Sequence, residues 1–309
     1  MMTQQNPSAL KAWQQPLGWL LLIVWVGGVE YLLGWGNVLA VWDKVNPTTL
    51  VVAFVLLLLA YALAAWRLYD YFPQALQGKG LATWRLLSVH VLRRQFFPTH
   101  AGEGGFPAAM KHEFGVTHAD SISALLWFRF LDIHAALAFL IYPLLVVTPL
   151  RRLAIPVIAV WVVLPLLVYL LRNVIEARFA GRDGYFSQLV QQTLYGLPDN
   201  WSEFWRSWLM TWASWMVKLL TLAWLLGQFL PDVTWNMRLT AVVLGELASA
   251  LPLFVPLSAG LYEGGIIAGL LPVSSLQPIA IAAINVHLFV LVVMLVGGLL
   301  ATLLGKLRG

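Results

Sequence analysis

Phe97-Pro98-Thr99-His100-Ala101-Gly102-Glu103-Gly104-Gly105 and Val255-Pro256-Leu257-Ser258-Ala259-Gly260-Leu261-Tyr262-Glu263-Gly264-Gly265 are two versions of one phrase. Pro98 aligns with Pro256, and Ala101-Gly102 with Ala259-Gly260, at an offset of 158; the Glu-Gly-Gly triplets are offset by 160, so the second copy holds two extra residues. Each copy follows one apolar stretch and precedes another. Gly-rich interruptions at corresponding places are the mark of an internal repeat with a broken, re-entrant helix in each half. The motif positions are Pro98, Gly102, Gly104 and Gly105 in the first copy and Pro256, Gly260, Gly264 and Gly265 in the second.

The surroundings are those of a membrane protein. Of the 309 residues 60% are apolar and 11% charged, where soluble domains carry roughly 25% charged residues. The sequence therefore predicts an all-α polytopic membrane bundle of about six to eight spans of ~20 residues each. We expect spans near 17–35, 49–69, 120–147, 153–171, 209–230, 238–254 and 277–304. Residues 81–97 are apolar but carry Arg85, His90, Arg93 and Arg94, so they form either a span facing protein or a helix partly in the interface. Residues 98–107 and 255–265 read as irregular. Thr117 and Asp120 offer a helix start. The whole chain, 1–309, reads as one membrane domain: a first half at 17–171, a polar amphipathic connector at 172–206 and a second half at 207–305. In the connector Trp201, Phe204, Trp205 and Trp208 recur at helical spacing, as in an interfacial helix.

The formal net charge of +5 comes from scattered pairs such as Arg93-Arg94 and Arg151-Arg152. That pattern fits loops at a membrane surface and not a nucleic-acid stripe. Lys306 and Arg308 place the C-terminus on the cytoplasmic side under the positive-inside rule. There is no cysteine, which excludes disulfides and thiolate chemistry. The six histidines show no metal-ligand spacing, so no metal or cofactor is expected.

Ionisable groups inside spans are costly and need partners. Arg129 and Asp132 lie three apart on one helix face, where Glu103–Arg129 or Arg129–Asp132 would be buried pairs. The alternative is a cavity shaped by Glu103, Arg129, Asp132 and Glu263. Arg93, Arg94, Lys111 and His100 would draw an anionic head group toward it. Lys218 either snorkels or pairs within the bundle. Glu246 precedes the second break, and Asn285 and His287 sit on the last span.

At these residues the chain resembles the transmembrane domain of lysylphosphatidylglycerol synthases, also called the flippase-like domain family. The resemblance rests on Phe97-Pro98 through Gly102-Glu103, Pro107, Phe114-Gly115-Val116 and Arg129-x-x-Asp132. Its second part is Pro256 through Gly260, Glu263 and the final helix. Trp127-Phe128 departs from the acidic residue that many relatives carry before the arginine. The resemblance implies the stand-alone membrane part of such a protein, without the synthase domain. It implies movement or binding of an anionic phospholipid or other amphipathic lipid, in the bacterial inner membrane, with membrane lipids as the partners. Two other classes stay open: a membrane enzyme or accessory subunit acting on a lipid-linked phosphate or sugar, and a non-catalytic membrane scaffold.

Overall fold

The computed structural model describes residues 7–96, 100–146, 148–251, 255–271 and 274–306, with side chains from residue 16 onward except at 100–104 and 305–306. Pro98 lies outside the described residues, as do the side chains of His100 and Glu103. Among the described residues the secondary structure is helical throughout.

The helices are α1 Pro7–Leu32, α2 Trp35–Ala40, α3 Pro47–Tyr71, α4 Pro73–Leu76, α5 Gly80–Phe96, α6 His100–Phe114 and α7 His118–Val146. They continue as α8 Ala154–Leu170, α9 Arg172–Phe179, α10 Tyr185–Tyr195, α11 Trp201–Phe229, α12 Trp235–Ser249, α13 Leu261–Leu270 and α14 Leu276–Lys306. Among the described residues five segments are long and apolar enough to cross a membrane: Pro47–Tyr71, His118–Val146, Pro149–Leu170, Trp201–Phe229 and Leu276–Leu304. A bent pair, Pro16–Leu32 with Trp35–Lys44, which turns through 78°, would make a sixth among the described residues. Glu30 works at that bend, accepting a hydrogen bond from the Trp35 amide at 2.9 Å.

Local chemistry accounts for several boundaries. Asn46 accepts from the Thr48 amide ahead of Pro47, and Asn200 accepts from the Glu203 amide ahead of Trp201. Both are N-caps that satisfy otherwise orphaned donors. The Thr117 hydroxyl accepts from the Asp120 amide, so α7 starts where Thr117 and Asp120 indicate.

Three expectations need correction. Of residues 98–107, read as irregular, those from 100 onward are helical, as the start of α6, despite Gly102, Gly104, Gly105 and Pro107. Each glycine costs only about 1 kcal/mol in a helix, and burial of Phe106 and Met110 outweighs that. In the span expected at 238–254 the described helix, α12, has 15 residues, about 22 Å of helix against ~30 Å of hydrocarbon. The interfacial helix at 201–208 is the first part of α11, because Phe204 packs into the core instead of facing the membrane surface.

With α5 and α12 too short or too polar to cross, each continues after a break into a returning limb. The result is two hairpins, α5–α6 and α12–α13, and the packing repeats around them. Helix α3 packs on α11, α5 on α14, and α12 on α7. Exchanging α3, α5, α6 and α7 with α11, α12, α13 and α14 maps each of these contacts onto another in the set. The molecule is thus two repeats about a pseudo-twofold axis.

The repeats are inverted. Asp70 pairs with Arg206, Arg67 bonds Thr211, and Ser214 bonds the Ala60 carbonyl, so α3 and α11 run antiparallel. Contacts at one end, here called the near end, fix the direction: the Tyr71 hydroxyl donates to the Gly196 carbonyl, Tyr195 to Asp120, and Arg172 to the Pro198 carbonyl. The hairpin α5–α6 opens toward this end, and α12–α13 opens toward the other.

Candidate functional site

Between the halves lies a cavity of about 200 Å³. Helices α3, α5, α7, α11, α12 and α14 all contribute to it, so it sits at the pseudo-axis. Among the described residues its charged lining is Arg67, Arg94, Arg129, Lys218, Asp132 and Glu246.

The first ion pair is bidentate. Arg67 donates from Nη1 to Asp132 Oδ1 at 2.7 Å and from Nη2 to Oδ2 at 3.2 Å. Arg67 Nη1 also donates to the Thr211 hydroxyl at 2.6 Å, and Trp215 Nε1 donates to Asp132 Oδ1 at 3.0 Å. The Arg67 guanidinium lies 4.4 Å from the centre of the Phe128 ring, a cation–π contact that is worth more away from water. The second pair joins Lys218 Nζ to Glu246 Oε2 at 2.5 Å, with side chains 16% and 8% exposed. Thr211, Trp215 and Lys218 sit at i, i+4 and i+7 of α11, one face of the helix. The two pairs are therefore stacked about 10 Å apart along the helix axis.

Of the residues singled out in the sequence, Arg94, Arg129 and Asp132 meet in this cavity. The partner of Asp132 is Arg67 of α3, 65 positions away. Arg93 is exposed and lines a smaller gap between α5 and α6, and Lys111 is exposed near the end of α6. Glu263 lies apart from the cavity lining. Its Oε2 accepts from the Gly260 amide at 2.8 Å, and its Oε1 meets His287 Nδ1 at 2.7 Å. The carboxylate thus caps α13 and ties it to α14. Gly260 has φ 79°, a left-handed geometry that suits glycine at a break. Leu257 and Ser258 also have positive φ, at 59° and 51°. Such non-glycine strain costs about 1–3 kcal/mol per residue and persists only where surroundings enforce it. Ser258 donates to Gln95 Oε1 at 3.3 Å, so the end of the outgoing limb of one hairpin touches the break of the other.

Arg67 is the residue that the sequence reading passed over. Its signal is a lone arginine inside an apolar helix, on the stripe formed by Ala60, Ala64 and Arg67. Lys218 and Glu246 were visible as ionisable groups within apolar segments, and their pairing across 28 positions is set by the tertiary structure. Among the described residues no group of three His, Asp or Glu side chains is placed to hold a metal.

Fold and cavity define a class: an integral membrane protein made of two inverted helical repeats around a charged internal site. A family model described as "Lysylphosphatidylglycerol synthase TM region" matches residues 15–298. The chain belongs to that family, which relates it to lipid handling in membranes. No curated protein and no solved structure matches it.

Proposed function

We propose that this protein binds the anionic head group of a membrane lipid in the central cavity and carries it between leaflets. The observation that supports this reading is the set of arginine and lysine side chains that line the cavity between the repeats, Arg67, Arg94, Arg129 and Lys218 among the described residues. Phosphate suits arginine and lysine donors, and ionisable groups gathered at membrane depth mark a substrate path. The inverted hairpins offer each leaflet an equivalent approach, the geometry of alternating-access carriers.

We further infer that the near end faces the cytoplasm of a bacterial inner membrane. Lys79, Arg85, Lys111, Arg172, Arg178, Arg182, Arg206 and Lys306 cluster there, against Lys44, Arg151, Arg152 and Arg238 at the other end. That asymmetry follows the positive-inside rule and puts the C-terminus inside.

Reconstitution tests the function. Liposomes containing the protein and a head-group-labelled phosphatidylglycerol should lose outer-leaflet label faster than empty liposomes. Lys218→Met or Arg129→Ala should slow exchange roughly tenfold, the effect of losing one charge-assisted bond. Equal rates with and without protein, across phosphatidylglycerol, phosphatidic acid and cardiolipin, would refute transport.

A further inference from the structure

We propose that the gap between α5 and α6 is a second anion site, separate from the central cavity, which takes a phosphate group on Arg93. The gap holds about 80 Å³. That is room for roughly five waters, the size of one phosphate with its four oxygens. Its two walls are regular. Arg85, Val89 and Arg93 recur every fourth residue on α5, and Gly105, Ala109 and Glu113 do so on α6, so each row lies on one helix face.

The charges in the gap are unevenly matched. At its mouth Arg85 Nη2 donates to Glu113 Oε2 at 2.6 Å, which pairs one cation with the only acid among the described lining residues. Arg93, at the inner end, makes no hydrogen bond or ion pair among the described residues. It lies 13 residues beyond Gly80, about 20 Å along α5 and within the ~30 Å depth of hydrocarbon. An arginine at such depth needs an anionic or polar partner, and its planar fork matches two oxygens of a phosphate.

The space beside Arg93 is not a requirement of the hairpin. At the matching place in the second hairpin the limbs touch, and a Cβ on Gly265 would lie 2.4 Å from the Leu244 carbonyl oxygen. A Cβ on Gly105 would meet nothing closer than Arg93 Nη1, at 3.7 Å. His90 and Phe106, with ring centres 5.0 Å apart, line both the gap and the central cavity. A layer of side chains therefore stands between the two spaces, and an anion in the gap is held apart from the central ion pairs. The hairpin opens toward the near end, so the phosphate comes from a lipid head group of that leaflet or from a soluble phosphate ester on that side.

The chain has no cysteine, so Ala109→Cys places a single thiol in the wall of the gap. Purified full-length protein in detergent is modified with N-ethylmaleimide in three conditions: with inorganic phosphate, with phosphatidylglycerol in mixed micelles, and with sodium chloride at equal ionic strength. Saturating phosphate or phosphatidylglycerol should slow modification at least fivefold relative to chloride. Arg93→Gln should raise the half-protecting concentration at least tenfold, the loss of a charge-assisted bond. Stronger protection by phosphatidylglycerol makes a lipid head group the source; equal or stronger protection by inorganic phosphate makes it a soluble phosphate. If Ala109→Cys fails to fold, Val89→Cys on the facing wall must give the same pattern. No protection beyond chloride by either probe, or protection that survives Arg93→Gln, overturns the site. Lys218→Met, which strips a cation from the central cavity, should leave protection in place; its loss would assign the effect to that cavity and overturn a separate site.

Discussion

The two hairpins share one sequence pattern but are packed by different means. On the returning limbs Gly105 and Ala109 correspond to Gly265 and Gly269, each pair one helical turn apart at an offset of 160. In the second hairpin that small-residue stripe meets Ala241 and Gly245 of α12. A Cβ on Gly265 would lie 2.4 Å from the Leu244 carbonyl oxygen, and one on Gly269 would lie 2.8 Å from Ala241 Cα. Backbone rests on backbone there, as in small-xxx-small packing between membrane helices. In the first hairpin the same stripe faces Arg85 and Arg93, across a gap of about 80 Å³. The nearest atom to a Cβ on Gly105 is Arg93 Nη1 at 3.7 Å. One copy of the repeat is a closed structural wedge, and the other is a looser limb bordered by charge. A duplicated motif can therefore keep its glycines while the task they serve changes.

The comparison can be broken or sharpened by substitution. Glu263→Ala in the tight hairpin should have the largest effect. It removes the α13 cap, worth about 0.5–2 kcal/mol, and leaves His287 Nδ1 without its buried hydrogen-bond partner, about 1–3 kcal/mol more. Thermal unfolding in detergent should register a large fall in Tm; an unchanged Tm would deny the cap its role. Gly265→Ala comes next, at about 1–3 kcal/mol, because the clash is with main chain that cannot rotate away. Gly105→Ala should go the other way and stabilise α6 by about 0.5–1 kcal/mol, since alanine is the better helix former and has room. Equal losses for Gly105→Ala and Gly265→Ala would mean that the two hairpins are packed alike. The smallest effect belongs to Arg85→Gln. The Arg85–Glu113 bridge joins the two limbs of the loose hairpin with both side chains about one-third exposed. Its loss should stay within roughly 0.5 kcal/mol in a double-mutant cycle.

Much of this organisation is legible in the sequence because lipid imposes simple rules. Apolar length marks the spans, the Thr117–Asp120 cap marks the start of α7, and the repeated Pro-x-x-Ala-Gly phrase marks the duplication. Two kinds of information are not local. Helix α6 contradicts its own glycines because Phe106 and Met110 are buried by neighbouring helices, which no propensity records. The ion pairs depend on which helices meet: Asp132 bonds Arg67 from across the bundle, 65 positions away. Arg94, Arg129 and Asp132 were recognisable as unusual charges. Their convergence with Lys218 and Glu246 required the antiparallel meeting of α3 and α11.

Helix α8 touches none of this chemistry, yet it governs the symmetry by parity. A hairpin returns the chain to the face it entered from, so only full crossings count. From α3 to α11 the chain completes crossings in α3, α7 and α8, an odd number, and α11 therefore starts from the face opposite the one where α3 started. Remove that single passage and the second repeat would be set down the same way up as the first, with both wedges driven in from one side. A segment of almost featureless Val, Ile and Leu is thus what gives each leaflet a hairpin of its own.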